Sequence, residues 1–188
     1  MFSFTLDTNC IIAIDERRPE ACAISVLAKA HLTGAADVAV VAMSASEKQK
    51  DGRHIKNFAT FVQRLDTLGL GHLPVLAPMW YLDITFLDWC LLSDAAMESL
   101  ERKIHEVLFP NIEFLWTDYC RVHLGTNTVD ARWRNAKCDV QALWTHVFNK
   151  RDVFVTSDRN FHSTAKKTRL VGLGAGRIEF PESAASLS

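Results

Sequence analysis

Three short apolar runs along the chain each end at a group of small polar residues and an acid. Residues 2–6 precede Asp7, residues 38–43 precede Ser44 to Glu47, and residues 153–155 precede Thr156, Ser157 and Asp158. Short runs rich in β-branched and aromatic side chains, bounded by turn-forming residues, predict strands that are buried on both faces. Such strands are typical of a parallel sheet, so the pattern predicts the α/β fold class.

Between these runs, apolar side chains recur at helical spacing. The predicted helices cover residues 9–15, 19–33, 57–68 and 95–108, and a further helix starts near Asn135 or Lys137. Residues 72–77 and 177–182 predict edge strands, since Pro74 and Pro181 disfavour central ones. Residues 159–162 predict a turn or short helix, residues 170–174 a short strand, and the chain from Ser183 onward is expected to fray.

Composition narrows the class of protein without identifying it. With 188 residues, 48% hydrophobic and 23% charged, the chain predicts one globular domain. The net charge of −1 excludes a strongly basic nucleic-acid binder, so any nucleic acid would need a local basic patch or a metal ion. The five cysteines are scattered without a C-x-x-C pair, which argues for reduced thiols and against zinc. Without a signal peptide or a spanning apolar run, the sequence predicts a cytoplasmic protein with no membrane partner.

Four acids lie where this fold would bring them together. Asp7 and Asp158 follow predicted strands, and Glu47 and Asp139 are expected in the first turns of helices. Strand ends and the following helix starts share one edge of a parallel sheet, where ligands bind. Clustered carboxylates repel one another unless a cation compensates, and oxygen ligands suit Mg²⁺ or Mn²⁺. The alternative is that Asp7 and Glu47 only cap helices; we expect Thr8 or Asn9 to take the cap role instead of Asp7.

The order of these motifs resembles the PIN-domain family of metal-dependent ribonucleases, which includes the VapC-type toxins. The resemblance rests on Leu6-Asp7-Thr8-Asn9, Ser44-Ala45-Ser46-Glu47, Asp139 ahead of Ala142-Leu143, the run from Val155 to Phe161, and the ending from Ile178 to Glu182. It covers roughly residues 1–50 and 135–182. Residues 51–129 form a longer and more aromatic middle region than the compact helical pair of a minimal toxin. Their aromatics suit a helical core or a dimer surface, and stacking on nucleic-acid bases is the alternative role.

The resemblance implies a single PIN-like domain over residues 1–188, a three-layer α/β/α sandwich with a mainly parallel sheet and an enlarged helical segment. It implies that Asp7, Glu47, Asp139 and Asp158 bind Mg²⁺ or Mn²⁺, assisted by Asn9 and by Thr156 or Ser157. The implied activity is endonucleolytic hydrolysis of RNA, leaving 5′-phosphate and 3′-hydroxyl ends. The implied partners are an RNA substrate, a second copy in a homodimer and, for a toxin, a protein antitoxin.

Basic side chains offer contacts to RNA phosphates, although a solvated surface explains them equally. The candidates are Arg132, Arg134, Lys137, Arg159, Lys166 and Lys167. His162 is the one histidine close in sequence to a proposed site residue, and an exposed turn residue is its alternative role. Two other functions stay open: a non-catalytic binding protein of PIN fold, and a phosphatase with Asp7 as nucleophile. The phosphatase usually needs a second acid where Asn9 stands.

Overall fold

The computed structural model describes residues 1–43, 57–82, 84–123 and 130–188. Within these ranges the chain forms a five-stranded sheet in which every strand pair is parallel. The strands are β1 (Ser3–Leu6), β2 (Asp37–Val41), β3 (Val75–Leu76), β4 (Val153–Val155) and β5 (Arg177–Glu179). Their order across the sheet is β3-β2-β1-β4-β5, so β3 and β5 are edge strands as the prolines predict. The predicted α/β class is confirmed.

The helices of the described ranges alternate with these strands. They are α1 (Thr8–Asp15), α2 (Ala21–Leu32), α3 (Phe58–Thr67), α4 (Ala95–Leu108), α5 (Trp116–His123), α6 (Ala131–Phe148), α7 (Arg159–His162), α8 (Thr164–Leu170) and α9 (Pro181–Ala185). The helices predicted at residues 9–15, 19–33, 57–68 and 95–108 are confirmed within two residues at each end. No helix in the described ranges is long and apolar enough to cross a membrane.

Hydrophobic cores lie on both faces of the sheet because neighbouring strand residues point to opposite faces. Phe4 and Leu6 of β1 pack with residues of α1, α2, α3 and α9. Thr5 points the other way and contacts His146 of α6 at 2.9 Å, where Phe154 of β4 packs with residues of α4, α6 and α8. The arrangement is compatible with a three-layer α/β/α fold.

The strand register brings the ends of three strands together. Leu6 of β1 pairs with Val155 of β4, and Val155 pairs with Glu179 of β5. The residues that follow continue this pairing: the Asp7 backbone N–H donates to the Val155 carbonyl at 3.0 Å, and that of Thr156 donates to the Glu179 carbonyl at 3.1 Å. The side chains that follow β1, β4 and β5 therefore share one edge of the sheet.

Three local predictions are wrong. Residues 170–174 are not a strand; they finish α8 and enter a π-helical turn, Val171–Ala175. The chain after Ser183 does not fray, because Pro181 starts α9 and Ala184 is buried in the core beside α2. Helix α6 begins at Ala131, earlier than predicted, because the Asp130 side chain caps it by accepting from the Arg132 backbone N–H at 3.1 Å.

The enlarged middle region supplies α3, β3, α4 and α5 to the described part of the chain. Its aromatic side chains are divided between core and surface: Phe86 is buried, and Trp80 is 43% exposed. Trp89 stacks on Phe58 with ring centroids 4.3 Å apart. The aromatic content of this region therefore reflects packing in part, while some of it stays at the surface.

Candidate functional site

Asp7 is the buried centre of the site. Its side chain is the N-cap of α1, with one oxygen accepting from the Thr8 backbone N–H at 2.7 Å. The other oxygen accepts from Asn9 Nδ2 at 2.7 Å and from Thr156 Oγ1 at 2.8 Å. The expectation that Thr8 or Asn9 takes the cap role is wrong, since the helix begins at Thr8. Asp7 caps the helix and faces the other strand ends at the same time.

Asn9, Thr156 and Ser157, the predicted supporting residues, surround Asp7. Asn9 Nδ2 also lies 2.8 Å from Thr156 Oγ1, and Asn9 Oδ1 accepts from the Ser157 backbone N–H at 3.2 Å. Thr156 Oγ1 in turn accepts from the Asp158 backbone N–H at 3.1 Å. This network ties the chain after β1 to the chain after β4 and fixes the orientation of the Asp7 carboxylate.

Asp139 lies at the same site as Asp7 but is carried by α6, which packs on the other face of the sheet from α1. It lies in the third turn of α6 rather than in the first turns, because that helix starts at Ala131. Asp7 and Asp139 line one cavity of about 120 Å³, together with Thr8, Asn9, Ile12 and Cys138. No hydrogen bond to the Asp139 carboxylate comes from any residue that the structure describes. No described residue therefore prevents a ligand from binding either oxygen of Asp139.

The acids influence one another electrostatically. Burial is the main reason that the pKa of Asp7 rises to about 6; hydrogen bonds from Thr156 and Thr8 oppose the rise, and the charge of Asp158 adds to it. Burial also raises the pKa of Asp139 well above its ordinary value, followed by the charges of Asp7 and Asp158. The charge of Asp158 therefore disfavours ionisation of both Asp7 and Asp139.

Asp158 and Ser157 lie beside this pair. Asp158 caps α7 by accepting from the Asn160 backbone N–H at 2.8 Å. Ser157 Oγ is buried and has no hydrogen-bond partner among the described residues. A buried hydroxyl without a partner is unusual and marks a place for a further ligand. The fourth predicted acid, Glu47, lies outside the described residues.

The carboxylates of the site can supply part of the ligand set of Mg²⁺ or Mn²⁺. No three His, Cys, Asp or Glu side chains of the described ranges are grouped to hold one metal ion. Mg²⁺, however, commonly binds through one or two carboxylates and takes its remaining ligands from water and substrate phosphate. Asp7 and Asp139 on one cavity match that requirement, because their carboxylate oxygens are the ligands that a hard cation prefers.

The predicted basic contacts do not form one exposed group. Arg132 and Arg159 are exposed, and Arg134 is half-buried in α6. Lys166 donates to the Leu108 carbonyl at 2.8 Å, and Lys167 lies 3.8 Å from Glu179.

The prediction that Lys137 contacts RNA phosphate is wrong. It is fully buried and pairs with Glu101 of α4 at 2.8 Å, with its ammonium 3.7 Å from the centre of the Phe114 ring. A lysine enclosed in this way cannot contact RNA phosphate. Glu101 was not identified from the sequence as the partner of Lys137. It nevertheless lies on the apolar face of α4, four residues after Met97 and seven residues before Leu108.

A pair of rings at the same sheet edge was also not predicted from the sequence. Phe180 follows β5 directly and stacks on His162, with ring centroids 3.6 Å apart. His162 Nε2 lies 2.9 Å from the Thr156 carbonyl oxygen, so the pair is joined to the network around Asp7. No local pattern predicted this pair, because residues 177–182 were predicted as a strand and Phe180 was expected to lie within it.

The assignment of chemistry to this site rests on its own residues. Asp7, Asp139, Asp158 and the Asn9–Thr156–Ser157 network converge from four separate elements at the carboxyl end of a parallel sheet. No protein-family model, curated protein or solved structure matches this chain.

Proposed function

We propose that this protein is a Mg²⁺- or Mn²⁺-dependent endoribonuclease of PIN type, with Asp7 and Asp139 as the principal metal ligands. One observation carries the proposal: the two carboxylates line a single cavity at the carboxyl end of the sheet, and Asp158 lies near enough to raise the pKa of both. Packing acids together costs stability unless a cation binds them, so a purely structural role explains the arrangement poorly.

Each residue of the site has its own proposed role. Asp7 and Asp139 hold the cation, and Asn9 and Thr156 keep the Asp7 carboxylate turned toward it. When bound, the cation supplies Lewis-acid stabilisation of the phosphate charge and makes the attacking water more acidic. Asp158 keeps one oxygen on the Asn160 backbone N–H and offers the other to the site. Glu47 is proposed as the fourth acid of this group.

RNA is the proposed substrate because the site combines carboxylates with exposed cations. The protein has no net positive charge to attract a nucleic acid, so the bound metal and local cations must do so. Arg159, next to Asp158, and Arg132, at the start of α6, are the exposed candidates. A homodimer and a protein antitoxin remain predictions of the family resemblance.

Asp158→Asn tests the proposal without disturbing the local fold, because asparagine is also a good helix N-cap. The wild type is expected to cleave single-stranded RNA in Mn²⁺ and not in EDTA. The variant is expected to cleave about 10- to 100-fold more slowly, since an amide binds the cation less well than a carboxylate does. The measurement is the initial rate on a fluorescently labelled oligonucleotide.

Asp94→Asn is the matched control. Asp94 caps α4 in the same way, accepting from the Met97 backbone N–H at 2.8 Å. It lies at the far end of that helix from Leu108, which approaches Asn160 beside the site. The control should cleave at the wild-type rate. RNA cleavage that persists in EDTA, or an Asp158→Asn variant as fast as the wild type, would refute the proposal.

The affinity for Mn²⁺ should depend on pH. Because the pKa of Asp7 is about 6, the proton competes with the cation below that pH, and the affinity should fall about tenfold per pH unit. The pKa of Asp139 is also raised by burial, so a proton on this carboxyl competes with the cation as well. Titration of Mn²⁺ by calorimetry at pH 5, 6, 7 and 8 measures this. An affinity that is the same at pH 5 and pH 7 would contradict the assignment of Asp7 as a ligand.

A further inference from the structure

We propose that Phe180, backed by His162, is a stacking platform for the base of a nucleotide next to the phosphate that the site cleaves. The inference rests on the proposed nuclease function and adds to it a binding subsite for an unpaired base. Four observations support it: the stacked geometry, the exposure of the ring, its rigid connection to Asp7, and the contrast with neighbouring aromatic residues.

The two rings are nearly parallel. Their centroids are 3.6 Å apart and their planes differ by 9°. His162 therefore covers one face of the phenyl ring, yet Phe180 keeps 39% of its surface exposed. A base that stacks on the remaining surface would extend an existing column of rings instead of forming a new one.

The platform is held at a fixed place relative to Asp7. His162 Nε2 donates to the Thr156 carbonyl oxygen at 2.9 Å, since a carbonyl can only accept. Thr156 Oγ1 donates to Asp7 at 2.8 Å, and the Thr156 backbone N–H donates to the carbonyl of Glu179, the residue before Phe180. One threonine thus connects both rings to the carboxylate at the centre of the site.

Neighbouring aromatic residues show that the exposure of Phe180 is not general in this part of the fold. Phe154, on the adjacent strand β4, and Phe161, beside His162 in sequence, are both fully buried. Their rings serve the core, whereas Phe180 keeps 39% of its surface exposed. An exposed aromatic ring beside a phosphate-binding site suits base stacking, which depends on the π-face and tolerates any base.

Local charges permit a nucleotide at this place. Glu179, beside the platform, lies 3.8 Å from the Lys167 ammonium, which offsets its charge. Arg159 begins α7, the helix that carries His162, and is exposed, so a cation lies on the same short helix as the platform.

A scan of abasic sites tests the platform. An oligonucleotide with one mapped cleavage position is prepared as a series, each member lacking one base near the scissile bond. For the wild type, one member is expected to show a KM raised about tenfold with kcat little changed. Phe180→Leu should have a KM raised about tenfold on the intact strand, and removal of that base should raise it no further. Phe180→Trp, which keeps an aromatic face, should behave as the wild type does.

The test depends on whether the effects on KM of changing Phe180 and of removing the base are coupled. If Phe180→Leu loses as much as the wild type when that base is removed, or if no position is sensitive in the wild type, the platform is refuted. A purely structural role for Phe180 would lower thermal stability in the leucine variant and leave the pattern of abasic sensitivity unchanged. That pattern would also overturn the inference.

The test separates this inference from the nuclease proposal. Cleavage without abasic coupling leaves the nuclease proposal standing and overturns the platform. If the wild type cleaves none of the strands, fluorescence anisotropy in Mn²⁺ measures binding of the same series by the wild type and Phe180→Leu. If the effects of Phe180→Leu and of base removal on binding are coupled, the platform is supported as a nucleic-acid contact. If they are not coupled, both the platform and the nuclease function are overturned.

Discussion

Asp139→Asn is expected to slow Mn²⁺-dependent RNA cleavage by about 100- to 1,000-fold, which corresponds to about 3–4 kcal/mol of transition-state stabilisation. The effect should exceed that of Asp158→Asn for a structural reason. The Asp158 carboxylate is partly engaged as a helix cap, whereas no described residue donates a hydrogen bond to the Asp139 carboxylate. Both oxygens of Asp139 are therefore available to the cation, and the substitution removes a full ligand charge.

The same substitution should stabilise the protein when no metal is present. The folded pKa of Asp139 is raised, so the folded state keeps its proton over a pH range in which the unfolded chain has lost it. Its contribution to stability is complete below the unfolded pKa of about 3.9 and is lost as pH rises through the folded value. Asparagine has no such loss, so the advantage of the variant should be small at pH 5 and larger at pH 8.

Thermal unfolding with and without Mn²⁺ measures both consequences. In EDTA, Tm should rise by about 2–4 °C for each kcal/mol of repulsion removed. In Mn²⁺, the wild type should gain stability by ligand binding and the variant should gain much less. Asp118→Asn, at a half-buried position of α5 where the side chain pairs with Arg121, is the control and should follow the wild type throughout. An equal gain from Mn²⁺ in Asp139→Asn and the wild type would show that Asp139 is not a ligand.

Local sequence patterns were sufficient to predict the strand-end part of the site. Asp7 follows an apolar run directly and Asp158 follows one after two small polar residues, so their position at the sheet edge depends only on residues beside them. Asn9 and Thr156 came from the family resemblance instead. The position of Asp139 was harder to predict because it depends on where α6 begins. Arg132 and Arg134 suggested a solvated loop, yet Asp130 caps the helix and Trp133 is buried within it.

Contacts between distant residues could not be read from the sequence. Small polar residues at the C-terminus suggested fraying, but burial of Ala184 against the core of α2 stabilises α9. Residues 170–174 resemble a strand, yet Gly174 adopts a φ of 99° and the Ala175 carbonyl oxygen lies 3.0 Å from His146 Nε2. Tertiary contacts override local propensity at both places.

Lys137 shows the same limit most clearly, and its buried ion pair gives the largest expected effect on stability. Lys137→Met should lower the free energy of unfolding by about 3–5 kcal/mol, because it leaves a buried carboxylate without its partner. Both side chains are at most 1% exposed, and the Nζ–Oε1 distance is 2.8 Å. The Tyr81 hydroxyl donates to the other Glu101 oxygen at 2.9 Å, so the loss would disturb a three-residue network. Urea unfolding monitored by circular dichroism at pH 7 measures the change.

The double variant Lys137→Met/Glu101→Leu should regain most of that stability, because apolar residues of similar volume often replace a buried ion pair at little cost. Lys103→Met, at an exposed position of α4, should change stability by no more than about 0.5 kcal/mol. The double variant should also bind RNA with the salt dependence of the wild type, since Lys137 lies beneath the surface. A single variant as stable as the wild type would contradict the buried pair. A reduced salt dependence in the double variant would instead restore Lys137 as a phosphate contact.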